Sequence, residues 1–192
     1  MPNAFEHSLT CHPETSSDAV REIAVAARWL TRGVLALAYR IEGEMKRLRI
    51  PQPRAPRRGV ELWRHTCCEA FIALGGRAQY HEFNFSPSGE WAAFAFRSYR
   101  ESVIPAGDAP SPRISVWRAE RAVGVDARLD LDRWITLEPG SLLRLGLSVV
   151  IEDSKGALSY WALRHPAAKP DFHHPESFAL ELRAPDREAT CS

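Results

Sequence analysis

Apolar residues recur at every second position along most of this chain, and that period decides what it can fold into. In LLRLGLSVVIED, residues 142–153, Leu143, Leu145, Leu147, Val149 and Ile151 fall on one side of an extended backbone, with Arg144, Ser148 and Glu152 on the other. The same alternation runs through IAVAARW (Ile23, Val25, Ala27, Trp29), GVLALAYRI (Leu35, Leu37, Tyr39, Ile41) and AVGVDARLDL (Val123, Val125, Ala127, Leu129, Leu131). Each segment reads as a strand with one buried face and one wet face. No strong helical pattern of about ten residues competes, and turn signals punctuate the strands: SPSG at 86–89, PAGDAPSP at 105–112, EPG at 138–140 and DSKG at 153–156. The expectation is an all-β chain, an antiparallel β-sandwich of the jelly-roll kind with about ten strands. Residues 1–183 read as a single domain and 184–192 as a polar tail, while residues 10–19 read as a loop and residues 131–134 suit a short helical turn. With 192 residues, 45% of them apolar, the chain is large enough to bury a core without staples.

The segment YHEFNFSPSGEWAAFAF, residues 80–96, reads as a hairpin whose turn chemistry sets which side chains share a face. A type I turn at Pro87 followed by a G1 bulge at Gly89 pairs Ser86 with Glu90, Phe85 with Trp91 and Glu82 with Phe94. A two-residue loop would instead pair Ser86 with Gly89 and turn Trp91 to the other face. Proline is incompatible with the primed turns that two-residue loops prefer, which favours the bulge. In either register Tyr80, Glu82, Asn84 and Ser86 share a face, and Glu69 joins them if its strand is the neighbour. Two readings of that face stand: the polar floor of a ligand site, or an ordinary solvated outer surface. A buried carboxylate there requires a partner, for which Arg64 and Arg100 are the candidates.

Twenty-five Lys and Arg against 24 Asp and Glu leave a formal net charge of +1, too little excess to expect nucleic acid as a partner. The one local exception, KRLRIPQPRAPRR at 46–58, carries prolines that mark it as a solvated crossover loop. The first twenty residues hold no basic region followed by an apolar stretch of signal-peptide length, and no segment approaches the ~20 apolar residues that span a bilayer. The expectation is therefore a cytoplasmic protein without a membrane partner, its four cysteines kept as thiols. Cys11, Cys67, Cys68 and Cys191 lack CxxC spacing, and Cys67 and Cys68, adjacent in a strand, read as small buried hydrophobes on opposite faces.

Taken together, LWRHTCCEAFI, YHEFNFSPSGEWAAFAFRSYR, SYWALRHP and KPDFHHPESF resemble the bacterial DOMON-like proteins, which are related to family 9 carbohydrate-binding modules. The resemblance runs from about residue 5 to residue 182. It implies a β-sandwich with one ligand site on a concave face or rim, of a kind that binds sugars or haem. The family's motif positions fall here on Trp63, Glu69, Glu82, Asn84, Trp91, Tyr99, Arg100, Trp161, His165 and His173, and Cys68 stands where the family's TCFE-like pattern has an aromatic.

Sugar binding has a physical logic that suits these residues. A pyranose packs its C–H faces on an indole and exchanges hydrogen bonds with carboxylates, amides and guanidinium groups. Of the six tryptophans, Trp29, Trp117 and Trp134 are expected in the core, leaving Trp63, Trp91 and Trp161 as platforms. The resulting expectation is a non-catalytic domain that binds carbohydrate, or another small molecule, through Trp63, Glu69, Glu82, Asn84, Trp91, Arg100, Trp161, His165 and His173. Three other readings remain beside it. Haem would require His–His ligation using His165 or His173, because Met1 and Met45 offer no attractive His–Met pair. Calcium or zinc would use the histidines and Asp171 of HPAAKPDFHH, whose spacing matches no standard site. A sandwich that only binds another protein is the third. Glu69 and Glu82 form a conceivable glycosidase pair, but neither G-x-S-x-G nor H-E-x-x-H is present, and no catalysis is expected. Nothing in the sequence indicates the oligomeric state.

Overall fold

The computed structural model describes residues 7–103 and 111–186. The alternating segments become its longest strands, β3 (Val20–Thr31), β4 (Val34–Gly43), β10 (Ala122–Asp130) and β11 (Leu142–Glu152). The others are β1 (His7–Ser8), β2 (Thr10–Cys11), β5 (Cys67–Leu74), β6 (Tyr80–Phe85), β7 (Trp91–Ser98), β8 (Glu101–Val103), β9 (Arg113–Ala119), β12 (Leu158–Ala162) and β13 (Leu180–Arg183). They form two antiparallel sheets, one of five strands in the order β1-β3-β4-β10-β9 and one of eight in the order β2-β12-β11-β5-β6-β7-β8, with β13 also on β11. This is the antiparallel sandwich that the period of two implies. Its strands outnumber the ten expected because β1, β2, β8 and β13 span two to four residues each, too few for a period to be legible. One of them, β2, lies in the segment read as a loop, and the helical turn expected near residue 131 is a 3-10 turn at Leu131–Arg133.

The apolar phases of the long strands meet between the sheets, where Ile23, Leu35, Ile41, Val125, Leu143 and Val149 are completely buried. Tyr39 stands in the same layer and donates its hydroxyl to the Glu69 carbonyl (2.8 Å), joining the sheets. The hairpin has the bulged register: Phe85 pairs with Trp91 and Glu82 with Phe94, the Ser86 amide donates to the Glu90 carbonyl (2.9 Å), and Gly89 takes φ +92°. Trp91 therefore packs inside with Phe83 and Phe85. Cys67 and Cys68 are fully buried on opposite faces, in separate apolar clusters.

The expectation of one wet face per strand fails for the eight-stranded sheet. On the outer side of β11, Ser148, Val150 and Glu152 are only 2–5% exposed, and on β5 Cys67, Glu69 and Phe71 are as deeply buried. Two segments roof this side: the chain after β12, remote in sequence, which brings Pro170, Phe172, His173 and Phe178, and the 3-10 turn Leu62–Arg64 just before β5. Gly146 lets the first lie close, since a Cβ there would stand 2.9 Å from the Phe178 ring. Trp117, expected in the core, lies instead on the outer face of the five-stranded sheet, 39% exposed, its indole over Gly124. Trp29 and Trp134 are half-buried against the core.

The proline-containing basic run does not float free. The Arg54 amide donates to Ser88 and the Trp91 amide to Arg57, while Arg49 pairs with Glu152 (2.5 Å) and Arg57 with Glu90 (2.8 Å). The chain does not turn into a polar tail at once after residue 183, because Ala184 is buried with its amide on the Ser141 carbonyl. Residues 187–192, with Cys191, and most of the 105–112 loop lie outside the described residues.

Candidate functional site

Strand pairing on the outer side of the eight-stranded sheet lines up polar residues in a cross-strand row. Ser148 on β11 stands opposite Glu69 on β5, which stands opposite Asn84 on β6. In the next row Phe71 faces Glu82 and Glu82 faces Phe94, and one row further Ala73, Tyr80 and Phe96 follow. Opposite residues share a face, so two carboxyls and an amide sit among four aromatic rings on one floor. Above it opens a cleft of about 380 Å³, lined on the floor by Glu69, Phe71, Glu82, Phe94 and Phe96. Trp63 closes one side, with Tyr160, Pro170, Phe172, His173 and Arg100 around the remainder.

The walls hold their places through ring contacts and one ion-pair network. Trp63 meets Phe94 edge to face at 5.7 Å, Tyr160 meets Phe172 at 5.9 Å, and His173 packs its ring on Phe71 (5.0 Å) and Phe96 (5.1 Å). Arg100 bonds Asp171 (2.9 Å), which also accepts from the Tyr99 hydroxyl (2.7 Å) and the His173 amide (3.1 Å). Tyr80 links both sides, accepting from the Arg100 amide (3.1 Å) and meeting His173 Nδ1 at 2.8 Å. Among the described residues the two non-glycine residues with left-handed backbone are Glu61 (φ 51°) and Arg100 (φ 55°). One precedes the turn that presents Trp63 and the other presents its own guanidinium, so both uncommon conformations serve the cleft.

The electrostatics follow from burial. Burial, with the nearby charge of Glu82, pushes the Glu69 carboxyl well above the ordinary carboxylate range. Glu82 is also raised by burial, against the opposing hydrogen bond from Asn84 (2.8 Å) and the charge of Arg100. Burial and then Arg100 bring His173 down to about 4, so its 3.7 Å approach to Glu82 joins a neutral ring to a carboxyl near neutral pH. For Asp171 burial acts upward, but the bonds from Tyr99 and Arg100 outweigh it and hold the group low. Glu69 Oε1, Asn84 Oδ1 and Ser148 Oγ, all buried and all in the single row, have no hydrogen-bond partner among the described residues. Orphaned polar atoms are costly to bury, and three in a line beneath a cleft mark where polarity exceeds what the fold itself satisfies.

Of the residues singled out in the sequence, the structure brings Trp63, Glu69, Glu82, Arg100 and His173 to the cleft, with Asn84 fully buried beside Glu69 in the same cross-strand row. It sets Trp91 and Trp161 elsewhere: both pack in the core between the sheets, 5% and 8% exposed, because their strand phase points inward. His165 does not line the cleft; its Nε2 meets the Thr10 carbonyl at 2.9 Å and its ring the edge of His12. Arg64 pairs with Glu61 (3.0 Å), not with a buried carboxylate. Asp171 spends its carboxylate on Arg100 and Tyr99, and among the described residues no group of three His, Cys, Asp or Glu side chains stands close enough to hold a metal ion. Sequence reasoning missed the aromatic lining of Phe71, Phe94, Phe96, Tyr160 and Phe172. The hairpin register already placed Phe94 and Phe96 on the Glu82 face, and the phase that buries Trp161 turns Tyr160 outward; for Phe172 the sequence held no signal.

No protein-family model matches the chain, and no curated protein matches it significantly. Solved structures do. A proposed carbohydrate-binding protein from Bacteroides uniformis aligns with a TM-score of 0.65 at 12% identity, over 91% of this chain and 84% of that one. A family 9 carbohydrate-binding module from Caldicellulosiruptor kristjanssonii in complex with glucose aligns at 0.62 and 11% identity, over 97% and 87%. A family 9 module from the same organism in complex with cellotriose gives 0.60 and 12%, over 99% and 87%. What these likenesses establish is a shared architecture: the chain has the β-sandwich fold of the family 9 carbohydrate-binding modules.

Proposed function

We propose that this protein is a non-catalytic carbohydrate-binding domain of the DOMON-like kind and that the cleft over the eight-stranded sheet is its sugar site. The observation that carries the reading is the lining itself: rings on the floor and walls beside Glu69, Glu82 and the Arg100–Asp171 pair. Apolar rings suit the C–H faces of a pyranose, and the carboxyls and guanidinium suit its hydroxyls. The shared fold supports it, since glucose and cellotriose are bound by modules of the same architecture. Glycoside hydrolysis fits less well. That chemistry requires carboxyls flanking the scissile bond, whereas Glu69 and Glu82 lie on adjacent strands of one floor and are the only carboxyls lining the cleft among the described residues.

Titration calorimetry against a panel of mono- and oligosaccharides tests this. Saturable binding that weakens at least about tenfold in Trp63→Ala and in Phe172→Ala, each still folded by circular dichroism at the titration temperature, is the expected result. Binding that survives both substitutions would place the site elsewhere, and no binding across the panel would overturn the reading.

A further inference from the structure

The cleft sets carboxyl groups among aromatic rings and is poor in free cations among the described residues. Among the described residues Glu69 has no basic partner, and its Oε1 has no hydrogen-bond partner at all. The groups around it are Glu82 and Asn84 from β6, Ser148 from β11, Cys67 beside it on β5, and Cys68 and Tyr39 from the inner side; His173 and Arg100 stand at the walls. Arg100, the one guanidinium lining the cleft among the described residues, is engaged by Asp171 and Tyr99. His173 stays uncharged down to about pH 4. With both glutamates ionised, Glu69, Glu82 and Asp171 would face a single positive charge on Arg100. Buried carboxylates are tolerated when paired with a cation, and aromatic faces such as Trp63, Phe94 and Phe172 attract cations as well.

From this geometry, and resting on the sugar-site reading above, we propose that the ligand carries a protonated amine: an amino sugar whose ammonium lies against Glu69 and Glu82 while its ring packs on the aromatic walls. Burial raises both carboxyls toward their protonated forms, and an ammonium seated against them lowers them again, so binding shifts them toward ionisation and releases protons. Affinity then rises with pH until the amine itself deprotonates.

Matched pairs decide the question: glucosamine against glucose, galactosamine against galactose and mannosamine against mannose, titrated calorimetrically near neutral pH in two buffers of different ionisation enthalpy. The expected result is that at least one amine binds about tenfold or more tightly than its parent sugar, with a buffer-dependent heat that reports proton release. The preference should fall below about threefold in Glu69→Gln or Glu82→Gln. Neutral sugars binding as tightly as their amines would overturn the amine assignment and leave the sugar site standing. An amine preference untouched by both glutamine variants, or unaccompanied by proton release, would overturn it too. Binding of none of the six would overturn this proposal, and the carbohydrate reading would fall with it only if the oligosaccharides of the wider panel do not bind either.

Discussion

Burial of Glu69 at 3% exposure and Glu82 at 6% has a consequence for stability as well as for binding. An unfolded glutamate titrates near pH 4.3, and both carboxyls are raised in the folded protein. Above about pH 4.3 the unfolded chain has released protons that the folded one retains, so these groups lower stability as pH rises, until the folded carboxyls themselves ionise. His173 acts in the other direction. Its folded value of about 4 lies below the ordinary histidine value near 6.5, so between those limits the unfolded chain binds a proton that the folded one refuses, and stability falls as pH drops through that window. Melting curves recorded from about pH 4 to pH 8 are expected to show a smaller alkaline decline in Glu69→Gln and a smaller acid decline in His173→Gln; unchanged profiles would mean that neither group titrates as its burial implies.

At the scale of the element, one position of strand phase separates core aromatics from cleft-facing ones. In β12 Trp161 points between the sheets, with its indole donating to Ser159 (3.1 Å), and Tyr160 faces the cleft. In the 80–96 hairpin the bulge sends Trp91 inward and Phe94 outward. Trp161→Ala and Trp91→Ala are therefore expected to cost about 3–5 kcal/mol of stability, measured by urea unfolding, and Trp63→Ala, on an exposed turn, about 1 kcal/mol or less. A small loss in the first two would contradict their assignment to the core. The hairpin register was legible in the sequence because Pro87 and Gly89 admit few turns. Burial of both faces of β5 and β11 was not, because alternating polarity is ordinarily the mark of a wet face; Ser148, Glu69 and Glu152 imitate that mark while lying under a roof.

For the molecule as a whole, the contact between Tyr39 and the Glu69 carbonyl joins the core of one sheet to the floor of the cleft on the other. Tyr39→Phe is expected to lower stability by about 1–2 kcal/mol, the cost of one buried hydrogen bond, and to weaken sugar binding through the altered backbone at Glu69; full retention of both in unfolding and titration experiments would show the two layers to be independent. The sequence by itself determined the all-β class, the inward phase of the long strands, the turn of the hairpin and the shared face of Glu82 and Asn84, because each depends on neighbours within a few residues. Tertiary structure alone decided that this face is a roofed cleft. The roof comes from Trp63 on one side and from Pro170, Phe172 and His173 on the other, the latter some 74 to 93 residues from the hairpin. A period of two records which way a side chain points along its own strand; it carries no trace of what a distant loop will lay across it.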